Sequence, residues 1–391
     1  MGRSFLARII LPAVAFLATA AGGCALIDTH LEECKESFTV LYRLRLITNM
    51  QAEIDDKLGD ERDKPLRLAL EDHLKDIFAE FAHDVDLSFY SLDAEGARLE
   101  HRAAIMDAGQ ATYEIELPAN DYYHLALANL EQSRVVSLTD AGLCGTSRLF
   151  QMEGEAVDSH NTGLFSARLP LAVHRDETQT FNVDLYMANC ATALVVHTDS
   201  CTFTSIRAEA YDRADSFRVC DSVYTYDRNP AVLGSFIDAE PYVEMVRQQA
   251  KTKAGDVDTS DVPVWDKTPS MFCSVGFPSR DEIPDGITED RIWRYVLYVT
   301  LTDGSVTRSI ISMGAPLQAA HLKIIRGWLR PDGGFVPGPP PEPPGPGPGP
   351  GPGPGPGPGP GPGPGPGGDD IVTGVSISLD WKDGSSYNPV L

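Results

Sequence analysis

The residues that most often carry catalysis show no spacing typical of an active site. Nine histidines are scattered over 391 residues, and neither a His-Glu-x-x-His helix nor a Gly-x-Ser-x-Gly turn occurs. Asp256, Asp258 and Asp261 have the look of a calcium loop, but its turn glycine and bidentate glutamate are missing, and Lys267 stands in the last place. We therefore predict no catalytic residue, no metal site and no cofactor.

Two further groups of side chains have simpler structural explanations. An acidic cluster interrupted by Pro284 and Gly286 predicts an exposed, turn-rich loop. This cluster is Asp281, Glu282, Asp285, Glu289 and Asp290. Five aromatic residues could form a glycan-binding face, although aromatic residues on strands usually pack in a core. These are Tyr211, Phe217, Tyr224, Tyr226 and Tyr242.

Cysteine usage points to an oxidising compartment. Besides Cys24 the chain has six cysteines, an even number, which allows up to three disulfides in 15 pairings. They are Cys34, Cys144, Cys190, Cys201, Cys220 and Cys273. None has the Cys-x-x-Cys spacing of a redox or zinc site. The alternative is that several are buried free thiols, since free cysteine packs as a small hydrophobe.

The N-terminus has the pattern of an export signal. Arg3 and Arg8 are followed by an apolar stretch from Ile9 to Ala20, too short for a spanning helix, and by small residues before Cys24. The segment 21–24 resembles the lipobox of bacterial lipoproteins, in which the cysteine carries diacylglycerol and palmitate. The resemblance implies that residues 1–23 are removed and that Cys24 is lipidated. The alternative is a secreted protein in which Cys24 is incidental.

Length and charge limit the remaining possibilities. Without the signal, 368 residues remain, enough for two domains. Asp and Glu outnumber Lys and Arg by 56 to 32, so the surface repels nucleic-acid phosphates and anionic headgroups. Nucleic-acid binding is therefore excluded from the expected functions.

Hydrophobic periodicity predicts a mostly β chain with one or two helices. Apolar residues alternate from Phe38 to Leu46, and the Asp303-Gly304 turn predicts a two-residue hairpin. Between Lys64 and Ala82 the spacing becomes helical, with Leu70, Leu74, Ile77, Phe78 and Phe81 on one stripe. Further strands are predicted at 85–92, 113–117, 123–130, 180–185, 193–197, 202–208, 293–301 and 306–311. Short strands separated by turns favour antiparallel sandwiches.

The C-terminal part combines a tether with a strand. Residues 337–366 are almost entirely Pro and Gly, and from Gly345 the two alternate strictly. Gly at every second position excludes a collagen helix, and the run predicts a linker over 337–368. In the segment 369–391 the residues Val372, Val375, Ile377, Leu379 and Trp381 are spaced mainly by two, which predicts a strand.

Several short patterns together resemble one protein family. They are the lipidated Cys24, Cys34 before the Phe38–Leu46 strand, the Val85–Leu92 strand, Glu116-Leu117-Pro118-Ala119 followed by Tyr122-Tyr123-His124-Leu125, and Ser378-Leu379-Asp380-Trp381-Lys382-Asp383-Gly384. The chain is similar to the fimbrial anchor lipoproteins of Bacteroidales, the FimB-type and minor-fimbrium anchor subunits. The Gly-Pro run departs from that pattern.

The resemblance implies both an architecture and a role. It implies two tandem transthyretin-like antiparallel β-sandwich domains, at 24–188 and 189–336, on the surface of the outer membrane at the base of a fimbrium. Subunits of this kind join by donating a strand to an open groove in the next subunit. A lipid-held N-terminal segment would keep its groove filled, so the protein would anchor the fimbrium, end its polymerisation and regulate its length. Its partners would be fimbrial subunits and membrane lipid.

Three alternatives stay open at this point. The 372–381 strand is either the donated strand or the last strand of its own domain. The protein is either a fimbrial subunit or a surface glycan-binding lipoprotein. It faces either the exterior or the periplasm, since the export mark near Glu32 and Glu33 is weak.

Overall fold

The structure is a computed structural model of the chain. It describes residues 36–47, 50–75, 82–92, 98–105, 112–130, 136–139, 148–151, 156–159, 163–175, 178–254, 262–283, 291–339 and 372–380. The predicted signal, Cys24, Cys34, Cys144, the aspartates 256, 258 and 261, most of the Gly-Pro run and Trp381 lie outside these residues.

Strands dominate the described chain. The strands up to residue 187 are Ser37–Ile47 (β1), Asp84–Ser91 (β2), Arg98–Ile105 (β3), Thr112–Pro118 (β4), Asn120–Ala128 (β5), Val136–Thr139 (β6), Arg148–Gln151 (β7), Ala156–Val157 (β8), Phe165–Val173 (β9) and Gln179–Met187 (β10). The later strands are Cys190–His197 (β11), Phe203–Tyr211 (β12), Ser216–Arg218 (β13), Val223–Thr225 (β14), Ala231–Leu233 (β15), Ser235–Ile237 (β16), Ser270–Gly276 (β17), Trp293–Leu301 (β18), Val306–Met313 (β19), Leu322–Leu329 (β20), Phe335–Pro337 (β21) and Val372–Asp380 (β22). The mostly β fold class predicted from the sequence is confirmed.

Three α-helices occur in the described residues. They are Met50–Lys57 (α1), Lys64–His73 (α2) and Glu240–Ala254 (α3), and a 3₁₀ turn at Glu61–Asp63 precedes α2. Pro65 lies in the first turn of α2, where a missing N–H costs nothing. The buried residues Leu66, Leu70 and Leu74 form the predicted stripe, but α2 ends at His73, nine residues before the predicted end. Ile77, Phe78 and Phe81 of that prediction lie outside the described residues.

The first sheet has the strand order β3-β2-β5-β9-β10-β1-β4. It bends sharply between β9 and β10, which pair only at Tyr186 with Ser166 and at Met187 with Phe165. The two halves of the sheet therefore face each other as a sandwich. Tyr42 of β1 contacts His124 of β5 across the interior, with their rings edge-on and the centroids 5.5 Å apart.

Three further sheets follow. The second sheet is β16-β17-β11-β20-β21, the third is β22-β19-β18-β12-β15-β8, and the fourth is β14-β13-β7-β6. The third and fourth sheets each combine strands from before and after residue 188. The predicted division into 24–188 and 189–336 stays a prediction.

Strand β11 lies between two cores, so its apolar run is buried on both faces. Ala191, Ala193 and Val195 face the first core cluster, whereas Leu194 and Val196 face the second. The first core cluster fills the sandwich and extends to one face of the second sheet; its members include Val40, Tyr42, Leu70, Phe89, Leu185, Met271 and Ile324. The second core cluster lies between the second and third sheets; its members include Phe272, Trp293, Tyr295, Leu297, Val299 and Ile311.

The β18–β19 hairpin was predicted with nearly its observed bounds, but its turn is longer than expected. The Leu301 N–H donates to the Ser305 carbonyl at 2.8 Å, and the Gly304 N–H donates to the Leu301 carbonyl at 3.0 Å. Three residues therefore form the turn, not two. Gly304 has φ +86°, a conformation that a three-residue hairpin needs at its last position and that glycine adopts without strain.

Candidate functional site

The N-terminal strand β1 occupies an interior position in the first sheet. It pairs in parallel with β10, from Val40 opposite Gln179 to Ile47 opposite Tyr186. On its other edge it pairs antiparallel with β4. Val40 and Tyr42 are fully buried, because alternate residues of β1 point into the sandwich. Both edges of β1 and its inner face are therefore in contact with the rest of the protein.

A buried polar pair links β1 to the opposite half of the sandwich. The Tyr42 hydroxyl hydrogen-bonds to Nε2 of His124. His124 Nδ1 lies 3.0 Å from the Ser88 carbonyl oxygen, so Nδ1 carries the proton and Nε2 accepts the tyrosine hydrogen. His124 also stacks on Phe89 with centroids 4.4 Å apart. Burial lowers the pKa of His124 from 6.5 to about 4, so the imidazole is neutral in the folded protein.

On the outer surface, an ion pair joins β1 to β10. Arg45 Nε donates to Asp184 Oδ1 at 2.9 Å, and Nη2 donates to Oδ2 at 2.7 Å. The pair is bidentate but exposed, so its contribution to stability is small. Its geometry fixes the register between the two strands.

The C-terminal strand β22 has only one neighbour. It pairs antiparallel with β19, from Val306 opposite Asp380 to Met313 opposite Val372, and it is the edge strand of the third sheet. The predicted strand residues Val372, Val375, Ile377 and Leu379 lie in this ladder. In the single chain the strand thus completes its own sheet, and its donation to another subunit stays a prediction.

A cleft lies where the chain leaves β21 for the Gly-Pro run. It has a volume of about 600 Å³, and its wall includes Lys57, Arg62, Trp265, Pro337 and Pro339. Gly338 follows β21 with φ +99°, and its N–H donates to the Arg326 carbonyl at 3.0 Å. The chain therefore turns sharply at the edge of the cleft.

The floor of this cleft is a buried ionic cluster. Asp63 is fully buried and accepts hydrogen bonds from Trp265 Nε1 at 2.7 Å and from Arg326 Nη1 and Nη2 at 2.5 and 3.0 Å. Arg326 Nη1 also donates to the Lys57 carbonyl at 3.0 Å. A buried charge is tolerated when paired and hydrogen-bonded in this way. The cluster fastens the segment between α1 and α2 to β20.

Arg213 is the most unusual charged residue of the described chain, because it is fully buried. Its guanidinium donates to the carbonyl oxygens of Phe277, Ser274 and Cys190, at 2.8, 3.4 and 3.2 Å. Its Nη2 also lies 2.8 Å from Cys190 Sγ. These bonds tie the loop after β12 to the starts of β11 and the end of β17.

The four described cysteines are buried free thiols and form no disulfide with one another. The expectation of up to three disulfides is therefore wrong for Cys190, Cys201, Cys220 and Cys273. Cys190 and Cys273 lie on adjacent strands, but Ala193 is the residue opposite Cys273, and the two thiols face different core clusters. Burial raises the pKa of Cys273 to about 12, so this thiol is unreactive.

The five aromatic residues weighed as a glycan-binding face do not form one surface. Phe217 is buried. The hydroxyls of Tyr211, Tyr224, Tyr226 and Tyr242 donate to Glu209, the Ala188 carbonyl, the Ser279 carbonyl and Asp72, at 2.6 to 2.8 Å. Tyr224 and Tyr226 line a pocket of about 500 Å³, but Arg280 covers the Tyr226 ring at 4.2 Å. The tyrosines thus serve mainly to brace loops.

The acidic cluster is only partly described. Asp281 and Glu282 are exposed, as expected for a loop, and Asp285, Glu289 and Asp290 lie outside the described residues. No group of three or more metal-binding side chains is arranged for a metal ion in the described ranges. No helix among the described residues is long and apolar enough to cross a membrane.

Sequence reasoning missed the His124, Asp63 and Arg213 contacts. Asp63 precedes Pro65 in a helix-start pattern, which explains it as a cap without indicating a buried ion pair. Arg213 stands in an ordinary turn sequence, and no signal distinguishes it from an exposed arginine. Only the pairing of distant strands brings these residues to their partners.

Comparison with solved structures finds proteins with limited likeness to this chain. A candidate adhesin from Bacteroides thetaiotaomicron has a TM-score of 0.44 and 11% identity, and the match covers 78% of this chain and 95% of that one. For the fimbrial anchor protein Mfa2 from Porphyromonas gingivalis the values are 0.38, 11%, 68% and 79%. For the C-terminally truncated tip fimbrial protein Mfa3 from the same organism they are 0.39, 10%, 76% and 96%. No family model matches the sequence, and no curated protein matches it. At these values the likeness says nothing about what this chain does.

Proposed function

We propose that the protein is a lipid-anchored fimbrial subunit that holds a fimbrium at the outer membrane and ends its polymerisation. The observation that carries the proposal is the position of β1 between β10 and β4, with Val40 and Tyr42 fully buried. In strand-exchange polymers a subunit accepts its neighbour's strand where one of its own strands is missing. Here the N-terminal strand fills that position.

Lipid on Cys24 makes the filling permanent. Ser37 follows Cys24 by 13 residues, so a cut that frees β1 from the fold also separates the fold from its lipid. The same covalent connection thus anchors the protein and keeps the sheet closed. Anchoring and chain termination become one property of the N-terminus, and termination sets the length of the fimbrium.

The C-terminal strand is the proposed point of attachment for the next subunit. As an edge strand with β19 as its neighbour, β22 can leave its sheet by breaking a single ladder. The 30-residue Gly-Pro run before it can extend to roughly 90 Å. Donation across a subunit boundary is therefore sterically feasible.

The proposed location is the outer face of the outer membrane, at the base of the fimbrium, where the protein supports adhesion. The partners are fimbrial subunits on the protein side and the lipid bilayer on the anchor side. The role is structural and involves no enzymatic step.

A protease site placed at residues 48–49, between β1 and α1, tests the closed-groove step. After cleavage and release of β1 in mild denaturant, the refolded protein should bind a synthetic peptide with the C-terminal strand sequence of a fimbrial subunit. Uncut protein should bind none, because its groove is occupied. Size-exclusion chromatography with a fluorescent peptide measures the binding.

The matched control carries the same protease site in the Thr302–Ser305 turn of the β18–β19 hairpin. Cleavage there leaves β1 in place, so it should not create peptide binding. Equal peptide binding by cut and uncut protein would show that β1 does not close an acceptor groove, and the terminator role would be lost.

Cys24→Ala tests the anchor directly in cells. The variant should appear in the medium, and fimbriae should be shed or variable in length, as seen by fractionation and electron microscopy. Cys34→Ala is the control and should stay in the membrane fraction. Attached fimbriae of normal length in Cys24→Ala cells contradict the anchoring role.

A further inference from the structure

The cleft beside Trp265 is bounded by the first residues of the Gly-Pro run. Pro337, Gly338 and Pro339 form part of its wall, together with Trp265 and Arg62. The described chain reaches Pro339 at this cleft, and the next residue in the sequence is Pro340. The continuing chain therefore starts within contact distance of the cleft.

Trp265 offers an aromatic surface to this cleft. Its Nε1 is used by Asp63 at 2.7 Å, which fixes the orientation of the indole. The Arg62 guanidinium lies 4.3 Å from the ring centroid, and the His197 ring packs edge-on at 4.5 Å. The indole remains only partly buried. Partly exposed indoles held rigidly in a groove are the usual binding surface for polyproline helices, which lose little entropy on docking.

The sequence next to the cleft differs from the rest of the run. Residues 339–344 read Pro-Pro-Pro-Glu-Pro-Pro, whereas strict Gly-Pro alternation begins at Gly345. Consecutive prolines favour the polyproline II helix, and glycine at every second position weakens it. Glu342 is the only charged residue between Pro337 and Pro366.

Charge in the cleft complements this glutamate. Lys57 and Arg62 both line it, and the Arg62 side chain is 50% exposed. Asp63 is already neutralised by Arg326. The available charge at the wall is therefore largely positive, in a protein of net charge −24.

We propose that this cleft is an intramolecular docking site for residues 340–344, which bind along Trp265 as a polyproline II helix with Glu342 facing Lys57 and Arg62. The free tether then begins at Gly345, and its direction of departure is set by the junction of α1, α2 and β20. The proposal concerns the chain's own tether and does not depend on a fimbrial role.

Fluorine NMR of the full mature protein labelled with 5-fluorotryptophan tests the proposal. The Trp265 resonance is assigned once with Trp265→Phe. Replacing Pro340, Pro341, Pro343 and Pro344 by Ser should shift this resonance and increase its H₂O/D₂O isotope shift, because water replaces the prolines. Glu342→Lys should change it in the same direction and to a smaller extent.

The control replaces Pro354, Pro356, Pro358 and Pro360 by Ser, the same number of prolines farther along the run. It should leave the Trp265 resonance unchanged. The resonances of the other tryptophans report whether the fold is intact. An unchanged Trp265 signal in the 340–344 variant overturns the proposal. A signal that responds only to added proline-rich peptide, or to protein concentration, also overturns it and assigns the cleft to a partner or a second copy.

Discussion

The two terminal strands of the described chain differ in how they are held. Strand β1 lies between two neighbours and buries Tyr42 and Val40 completely, whereas β22 pairs with β19 alone. Removing β1 breaks two ladders and opens a core, and removing β22 breaks one ladder at a sheet edge. The difference makes the N-terminal strand a permanent part of the fold and the C-terminal strand the exchangeable one.

The largest effect is expected from a charge placed under β1. Val40→Asp puts an unpaired carboxylate at a fully buried position and should cost at least ~4 kcal/mol, a large part of the stability of a typical domain. Urea unfolding followed by circular dichroism measures the loss. Thr39→Asp, at the adjacent exposed position of β1, is the control and should be nearly neutral. Equal stability of the two variants would mean that β1 is not held in the sandwich.

A pH effect of intermediate size is expected from His124, which faces β1. Its folded pKa of about 4 lies below the ordinary 6.5, so between these values the unfolded chain binds a proton that the folded chain excludes. Stability therefore falls as pH drops from 6.5 to 4 and stays level in this respect below 4. The shift corresponds to about 3 kcal/mol. Urea unfolding at a series of pH values measures the slope.

His124→Gln should reduce that slope by about one proton, whatever its effect on stability at neutral pH. His174→Gln, at an exposed position, should leave the slope as in the wild type. His197 also has a pKa lowered to about 4, by burial and by the nearby Arg326, so the wild-type slope includes a second histidine. An identical slope for wild type and His124→Gln would contradict a neutral, buried imidazole at β1.

The smallest effect on stability is expected at the other end of the chain. Deleting residues 370–391 removes β22 and should cost about 1–3 kcal/mol while the first sheet stays folded. Hydrogen exchange of β1 and β10 amides should be unchanged, and those of β19 should exchange faster. If β22 is the donated strand, the truncated protein also fails to capture fimbrial subunits. Global unfolding of the truncated chain would instead make β22 an indispensable strand of its own domain.

Local pattern predicted much of this fold. Alternation gave β1, β2, β5 and the β18–β19 hairpin to within a few residues, because one face of each strand is buried. Helix α3 was not predicted, since Val243 and Val246 are its only fully buried apolar residues and the stripe is too narrow to detect.

Long-range pairing explains what could not be predicted. The even number of cysteines suggested disulfides, but the register of β11 and β17 puts Cys190 and Cys273 on opposite faces. The Asp63, Arg326 and Trp265 cluster joins residues more than 200 positions apart. Neither composition nor local spacing carries information about such contacts. The candidate assembly strands were visible in the sequence, and their central and edge positions were not.

The parallel ladder between β1 and β10 has a consequence for the order of folding. Arg45 and its partner Asp184 are 139 residues apart, so the strand nearest the N-terminus has no β10 to pair with until most of the N-terminal half has crossed the inner membrane. Closing so long a loop is slow, and it comes after the local hairpins. The segment that leaves the translocation channel first is therefore among the last to find its place. A periplasmic chaperone that shields residues 37–47 during this interval would raise the yield of folded protein without touching the finished structure.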